Sequence, residues 1–329
     1  MKTRFIAILI LGMLLTTSCI ESVKSPETAS SDFKMILRLW PEHHNDTVLR
    51  NELLQAMQAY PNTFEEVWFC AEFETLSMEA HRKSAEAMAV AAEKMREIGV
   101  TPSIQGITLG HGDNFESGSE ELIPTAWGTI IDASGAVTRS GHCPRQPGFH
   151  EYLKEVYALY AQMCQPAVVW LDDDLRVTNH WPARQLCFCD PCIRHFNEEY
   201  GGHWSRTSLV EALEANAEGG AVREQWIAFS QESLASVART ISRSVHAVSP
   251  RTRMGLQHAN FHRELLEGRD WNPIFRAMEE ETGLTPASRP GNGFYNDHAP
   301  RGMVVKGYDM ARQIRRLDPD ISEIAAEIE

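Results

Sequence analysis

Hydrophobic positions follow two rhythms along the chain: short apolar runs, and longer stretches with apolar residues every three or four positions. Phe33 to Trp40 (FKMILRLW) reads as a strand ending at Pro41, followed by a helix from Val48 to Ala59 carrying Leu49, Leu53, Leu54 and Met57 on one face. Asp46 or Thr47 is placed to cap that helix. Glu66 to Ala71 is a second strand, Glu79 to Ile98 a long helix stopped by Gly99, and Thr101 to Leu109 a third strand. This β-α-β-α-β order predicts parallel strands joined by right-handed crossovers.

The third connection, His111 to Gly148, is long and contains a hairpin pattern, Trp127 to Asp132 and Ala136 to Arg139, turning at Ala133-Ser134-Gly135. Pro147 opens a helix over Gly148 to Met163, and Val168 to Asp174 is the fourth strand. A short helix from Ile193 to Tyr200 and a long one from Ala221 to His246 precede the fifth strand, Arg253 to His258. A helix across Pro273 to Glu280, a sixth strand with a glycine-rich loop in Thr285 to Asn296, a helix from Gly302 to Leu317 and a seventh strand, Ile321 to Glu329, complete the pattern. A closed (β/α)8 barrel needs one strand more, so the expectation is an α/β fold, a TIM barrel cut short after strand seven, occupying 32–329.

The first residues obey other rules. Lys2 and Arg4 precede an apolar core, Phe5 to Leu15, and Thr16-Thr17-Ser18-Cys19 ends in a cysteine. This is the shape of a cleaved signal, too short for a permanent span of about 20 residues. Cys19 lies where a bacterial lipoprotein receives its lipid. The expectation is a leader over 1–19, a polar tether over 20–31, export, and a lipid anchor in the cell envelope. The formal charge of −14, with no basic stripe, speaks against a nucleic-acid partner.

The chemistry concentrates between Val168 and Phe196, VVWLDDDLRVTNHWPARQLCFCDPCIRHF. A buried strand that ends in Asp172-Asp173-Asp174 delivers carboxylates where α/β barrels hold their active sites. Cys187-x-Cys189-x-x-Cys192 follows, and Cys143 supplies a fourth thiol before the helix that leads into strand four. Four such thiols suit structural zinc; the alternative is a disulfide pair with free thiols. Cys70 and Cys164 read as buried apolar residues.

Cys143, then 43 residues, then C-x-C-x-x-C, followed by Ile193-Arg194-His195-Phe196, resembles family 42 of the glycoside hydrolases, the clan A β-galactosidases. The resemblance covers roughly Phe33 to Glu329 and is sharpest from Cys143 to Tyr200. It implies a TIM barrel with a four-cysteine zinc site, an acid/base at the end of strand four and a nucleophile at the end of strand seven. The family carries Asn-Glu at the end of strand four, where this chain has Asp172-Asp173-Asp174.

Retaining glycoside hydrolysis needs a protonated acid and an ionised carboxylate about 5–5.5 Å apart. Strand alternation sends Asp172 and Asp174 to one side and Asp173 to the other, and crowding should keep one of them protonated. Asp174 is the expected acid/base with Asp172 as its alternate; Glu327 is the expected nucleophile, with Glu329 next to it in rank. Sugar-binding candidates collect at strand ends: Trp40, Glu42 and His43 after strand one, Arg176 beside the Asp run, His258 and Asn260 after strand five, and Arg289, Tyr295 and Asp297 around strand six. The expected partner is an oligo- or polysaccharide. Two rival readings stay open: a non-catalytic carbohydrate-binding lipoprotein, and a metal-dependent hydrolase whose Asp run is joined by His180 and His258.

Overall fold

The computed structural model describes residues 34–73, 76–106, 108–110, 127–178, 180, 182–183, 186–217, 219–259, 268–291 and 300–326. The expected leader and tether therefore lie outside the described residues. Seven short strands form one parallel sheet: β1 (Ile36–Leu39), β2 (Glu66–Cys70), β3 (Thr101–Gly106), β6 (Val168–Leu171), β7 (Arg253–His258), β8 (Ala287–Pro290) and β9 (Glu323–Ile324), hydrogen-bonded in that order. Each connection returns the chain to the same sheet edge, as crossover helices require. The sheet curls into a half-barrel. A hairpin of β4 (Thr129–Ile131) and β5 (Val137–His142) stands apart as an antiparallel pair. Its turn is held by Ala136 N and Gly135 N, which both donate to Asp132, and Gly135 takes a positive φ of 92°.

Helices cover the outer face. They are α1 (Glu42–Asn45), α2 (Thr47–Ala59), α3 (Met78–Glu97), α4 (Pro147–Cys164), α5 (Asp190–Tyr200), α6 (Arg206–Ala215), α7 (Ala221–Val248), α8 (Trp271–Thr282) and α9 (Pro300–Ile314). Local chemistry sets their starts. The Asp46 carboxylate accepts from Val48 N and Leu49 N, Ser77 Oγ from Ala80 N, and the Asp270 carboxylate from Asn272 N. Helix α6 has no counterpart in the hydrophobic pattern; only Leu209 and Leu213 of it are buried, and a Ser205/Ser208 capping box starts it.

Period-two alternation divides the strands between two cores. Val67, Phe69, Ile104, Val169, Leu171, Met254 and Leu256 face outward and pack under the helices. Trp68, Val168, Trp170 and Ala287 face inward as a separate cluster, with the Trp68 and Trp170 rings 4.3 Å apart. Gly255 makes room for that stack, because a Cβ there would lie 2.4 Å from the Trp170 ring. Gly255→Ala is therefore expected to cost about 1–3 kcal/mol by overpacking, read as a lower denaturation midpoint with unchanged m-value.

Two shifts among the expected boundaries bear on the site. Strand four ends at Leu171, three residues early, since Leu175 N bonds Asp172 O and Arg176 N bonds Asp174 O to make a turn. The three carboxylates thus leave the strand before alternation can sort them. At the other end, β9 is two residues long, and 327–329 lie outside the described residues.

Candidate active site and cysteine cluster

The acid turn sits at the C-terminal end of β6, the middle strand of the sheet. Its three carboxylates have three different environments. Asp172 is 2 % exposed, and its Oδ1 accepts from Thr108 Oγ1 at 2.7 Å and Thr108 N at 3.2 Å. Burial, reinforced by the charge of Asp174, pushes its carboxyl well above the usual carboxylate range, and the Thr108 bonds only partly oppose this. Its surroundings thus favour the protonated form. Asp173 is pulled the other way: burial would raise it, but Arg176, Arg289, Arg269 and Arg38 together hold it below the usual value. Asp174 shares Arg176 with it, the Nη2 lying 3.6 Å from Asp173 Oδ2 and 3.5 Å from Asp174 Oδ1.

The raised carboxyl of Asp172 has a measurable consequence. An acid whose folded pKa lies above its unfolded one takes up a proton on folding, so its contribution is full below the unfolded pKa and is lost as pH rises towards the folded pKa. Asp172→Asn, which keeps an acceptor for Thr108 and needs no proton, is expected to remove that pH dependence. In pH-resolved urea unfolding the variant should gain on the parent as pH climbs above about 4, by up to about 1.4 kcal/mol per pH unit. Parallel pH profiles would show that Asp172 is ionised in the folded chain.

Several groups at this site carry no sequence signal beyond parity. Arg38 shares the inward face of β1 with Ile36, its guanidinium 4.4 Å above the Trp40 ring. Arg289 pairs in register with Gln257, and Arg269 donates to Gln257 O at 3.1 Å. Thr108, Asp173, Arg38, Arg269 and Gln257 are additions that the structure makes. Arginines in buried strands were the available clue, because such charge is kept only against anions.

The expected sugar contacts scatter. Trp40 is partly exposed beside Phe73, and Glu42 and His43 lie on α1, facing each other at 3.9 Å. Arg176 and Arg289 join the acid turn. His258 does not: it points outward from β7, wholly buried, bonded to Ser288 Oγ and Gln313 Oε1 and packed on Trp271. Burial, then the charges of Arg269 and Arg289, hold its ring neutral. The physical reason is parity: His258 and the outward Leu256 share a face. His180 is buried beside Gly141 and His142. Among the described residues, the group able to hold a metal is the four cysteines. Cys19, Asn260, Tyr295, Asp297, Glu327 and Glu329 lie outside the described residues.

Cys143 follows β5, Cys187 and Cys189 lie in the loop before α5, and Cys192 lies in its first turn. All four are buried, with sulfurs within 4.8 Å of one another. Cys143 Sγ stands 3.3 Å from Cys192 Sγ and 3.6 Å from Cys189 Sγ. A disulfide would need about 2.05 Å, whereas sulfurs tetrahedral around zinc at about 2.3 Å stand about 3.8 Å apart. The donor set therefore fits a zinc-type ion. Hydrogen bonds from Cys143, Cys187 and Cys192 strongly favour a thiolate at Cys189, the form a metal requires. The loop is stitched in place by Phe188 N donating to Ile131 O and Arg206 Nε donating to Phe188 O. Cys70 and Cys164 are buried elsewhere, as the sequence suggests.

No protein-family model matches the sequence, and no curated protein matches it significantly. Solved structures share its fold. The catalytic domain of β-amylase from Paenibacillus polymyxa aligns with a TM-score of 0.58 and 13% identity, over 90% of this chain and 86% of that one. β-Galactosidase from the psychrophilic Marinomonas ef1 gives 0.54 at 10% identity, over 82% of this chain and 43% of its own. β-Galactosidase from the Antarctic haloarchaeon Halorubrum lacusprofundi gives 0.54 at 16%, over 84% and 42%. The chain thus spans less than half of those β-galactosidases. At these identities the likeness is one of fold alone, a curled parallel sheet consistent with a truncated (β/α) barrel.

Proposed function

We propose that this chain is a glycoside hydrolase of the β-galactosidase-like type, cleaving a glycosidic bond with retention through two carboxylates. The observation that carries the reading is the acid turn after β6. It sets Asp172, whose carboxyl is raised by burial, beside Asp173, whose carboxyl is lowered by arginines, with Asp174 sharing Arg176, at the end of the sheet where barrel enzymes work. Asp174 is proposed as acid/base, with Asp172 as alternate, and Glu327 as nucleophile ahead of Glu329. Trp40, Glu42, His43, Arg176, Asn260, Arg289, Tyr295 and Asp297 are proposed to hold the sugar. His258 is left out, because its ring is enclosed.

Cys143, Cys187, Cys189 and Cys192 would hold structural zinc. The ion would brace the hairpin and the loop before α5, and none of the chemistry is assigned to it. Export and anchoring to the bacterial cell envelope through lipid on Cys19 complete the proposal.

The test is a screen against aryl β-glycosides, with the anomer released first identified by NMR. Turnover with retained configuration is the expected result. An inverted product would sink the double-displacement mechanism, and sugar binding without any turnover would make the chain a binding protein.

A further inference from the structure

We infer that Gln257 is a specificity residue whose side-chain amide donates a hydrogen bond to one oxygen of the bound sugar. The inference rests on the carbohydrate reading above, but not on catalysis. It begins with parity. Met254 and Leu256 of β7 pack outward under the helices, so Gly255 and Gln257 face inward. Gln257 also stands level with the acid turn. Leu256 pairs in register with Leu171, the residue before Asp172, and Gln257 pairs with Arg289. Arg269 anchors the backbone at this point by donating to Gln257 O at 3.1 Å. The amide is thus delivered to the inner face at the end of the sheet that carries the carboxylates.

The amide is 1 % exposed there, yet its Nε2 has no hydrogen-bond acceptor among the described residues. Trp170 repeats the observation one layer lower. It pairs in register with Gly255, is wholly buried, and its indole Nε1 has no acceptor either. Other inward groups are satisfied: Trp68 Nε1 donates to Glu66 Oε1 at 2.9 Å, and Gln105 Oε1 accepts from Cys70 Sγ at 3.7 Å. Buried donors are bonded as a rule, because an unpaired one gives up water and gains nothing in return.

A packed fold would fill the Gln257 position at less cost with an apolar side chain of the same length. An amide kept there against that cost is explained by a ligand that completes it, the usual trade of stability for function. A sugar presents acceptor oxygens at its hydroxyls and in its ring, and an anchored N–H selects one of them by position. An analogue without that oxygen leaves the donor unpaired and is rejected.

The experiment combines melting with calorimetric titration of the full chain. Gln257→Met keeps the length of the side chain and removes the donor. Its thermal midpoint is expected to rise by about 1–4 °C, whereas a residue that only held the fold would lower it. Its affinity for 4-nitrophenyl 1-thio-β-galactoside should fall about tenfold. Monodeoxy analogues of that probe locate the oxygen: the one lacking it should bind about tenfold more weakly to the parent, with no such penalty in the variant. Gln257→Leu guards against poor packing of the methionine. The inference is overturned if both variants melt below the parent, or if they bind the thiogalactoside as tightly as the parent does. It is overturned equally if no analogue loses its penalty in the variants, or if the parent binds no galactoside. Weakened binding in the variants of a chain that cleaves no aryl galactoside would leave it standing and remove the hydrolase reading. Cleavage by parent and variants alike, with unchanged affinity, would do the reverse.

Discussion

Stripping the metal from the four-cysteine cluster is expected to destabilise the chain by at least about 3 kcal/mol, lowering the thermal midpoint by roughly 6–12 °C. The reason lies in what the cluster joins. Cys143 ends the hairpin, Cys187 and Cys189 form the next loop, and Cys192 starts α5. Phe188, between two of the thiols, packs on Trp226 of α7 with ring centroids 4.9 Å apart. An ion shared by four thiolates ties these segments together, whereas protonated sulfurs in the same space offer only weak hydrogen bonds. Cys189→Ser should reproduce the effect of a chelator, because it removes one of the four sulfurs that the ion would share. The measurements are metal content by mass spectrometry and melting with and without chelator. One zinc per chain and a lowered midpoint are expected, with activity lost only as the fold is lost. A purified chain that carries no metal and ignores the chelator would show that these thiols are merely packed together.

The second large effect is on turnover. Asp174→Asn and Glu327→Gln are each expected to lower kcat by about 10²–10⁴ against an aryl glycoside with a poor leaving group, with the fold and metal content unchanged. The two roles separate by chemistry. A variant lacking the acid should recover with a leaving group that needs no protonation, and Glu327→Ala should form a glycosyl azide when azide is supplied. Asp172→Asn is the necessary companion, since burial and the charge of Asp174 raise the Asp172 carboxyl. If it falls further than Asp174→Asn, and only it recovers with the activated leaving group, the acid role moves to Asp172.

Much of the architecture is legible without coordinates, because it rests on short-range rules. The β-α alternation follows from hydrophobic period, Asp46 caps its helix as a local carboxylate must, and Gly135 turns its hairpin with φ of 92°. The cysteine cluster is legible for a similar reason: three of its four members lie within six residues, and the fourth leads into the adjacent strand. Helix α6 escapes notice because two buried leucines make too thin a stripe to register as a period.

The active end is different. From sequence, alternation separates Asp173 from Asp172 and Asp174, Asp174 ranks first as the acid, and His258 is a polar residue at a strand end. Tertiary structure decides that the strand stops at Leu171, that burial raises the Asp172 carboxyl against the opposing Thr108 bonds, and that arginines from distant segments favour the ionised form of Asp173. It also turns His258 outward onto Ser288 and Gln313. The sequence by itself determined which elements form and which residues reach this end of the sheet, since period and spacing are local. Only the tertiary structure decided the charge and direction of each group, because desolvation and Coulomb terms depend on neighbours far away along the chain.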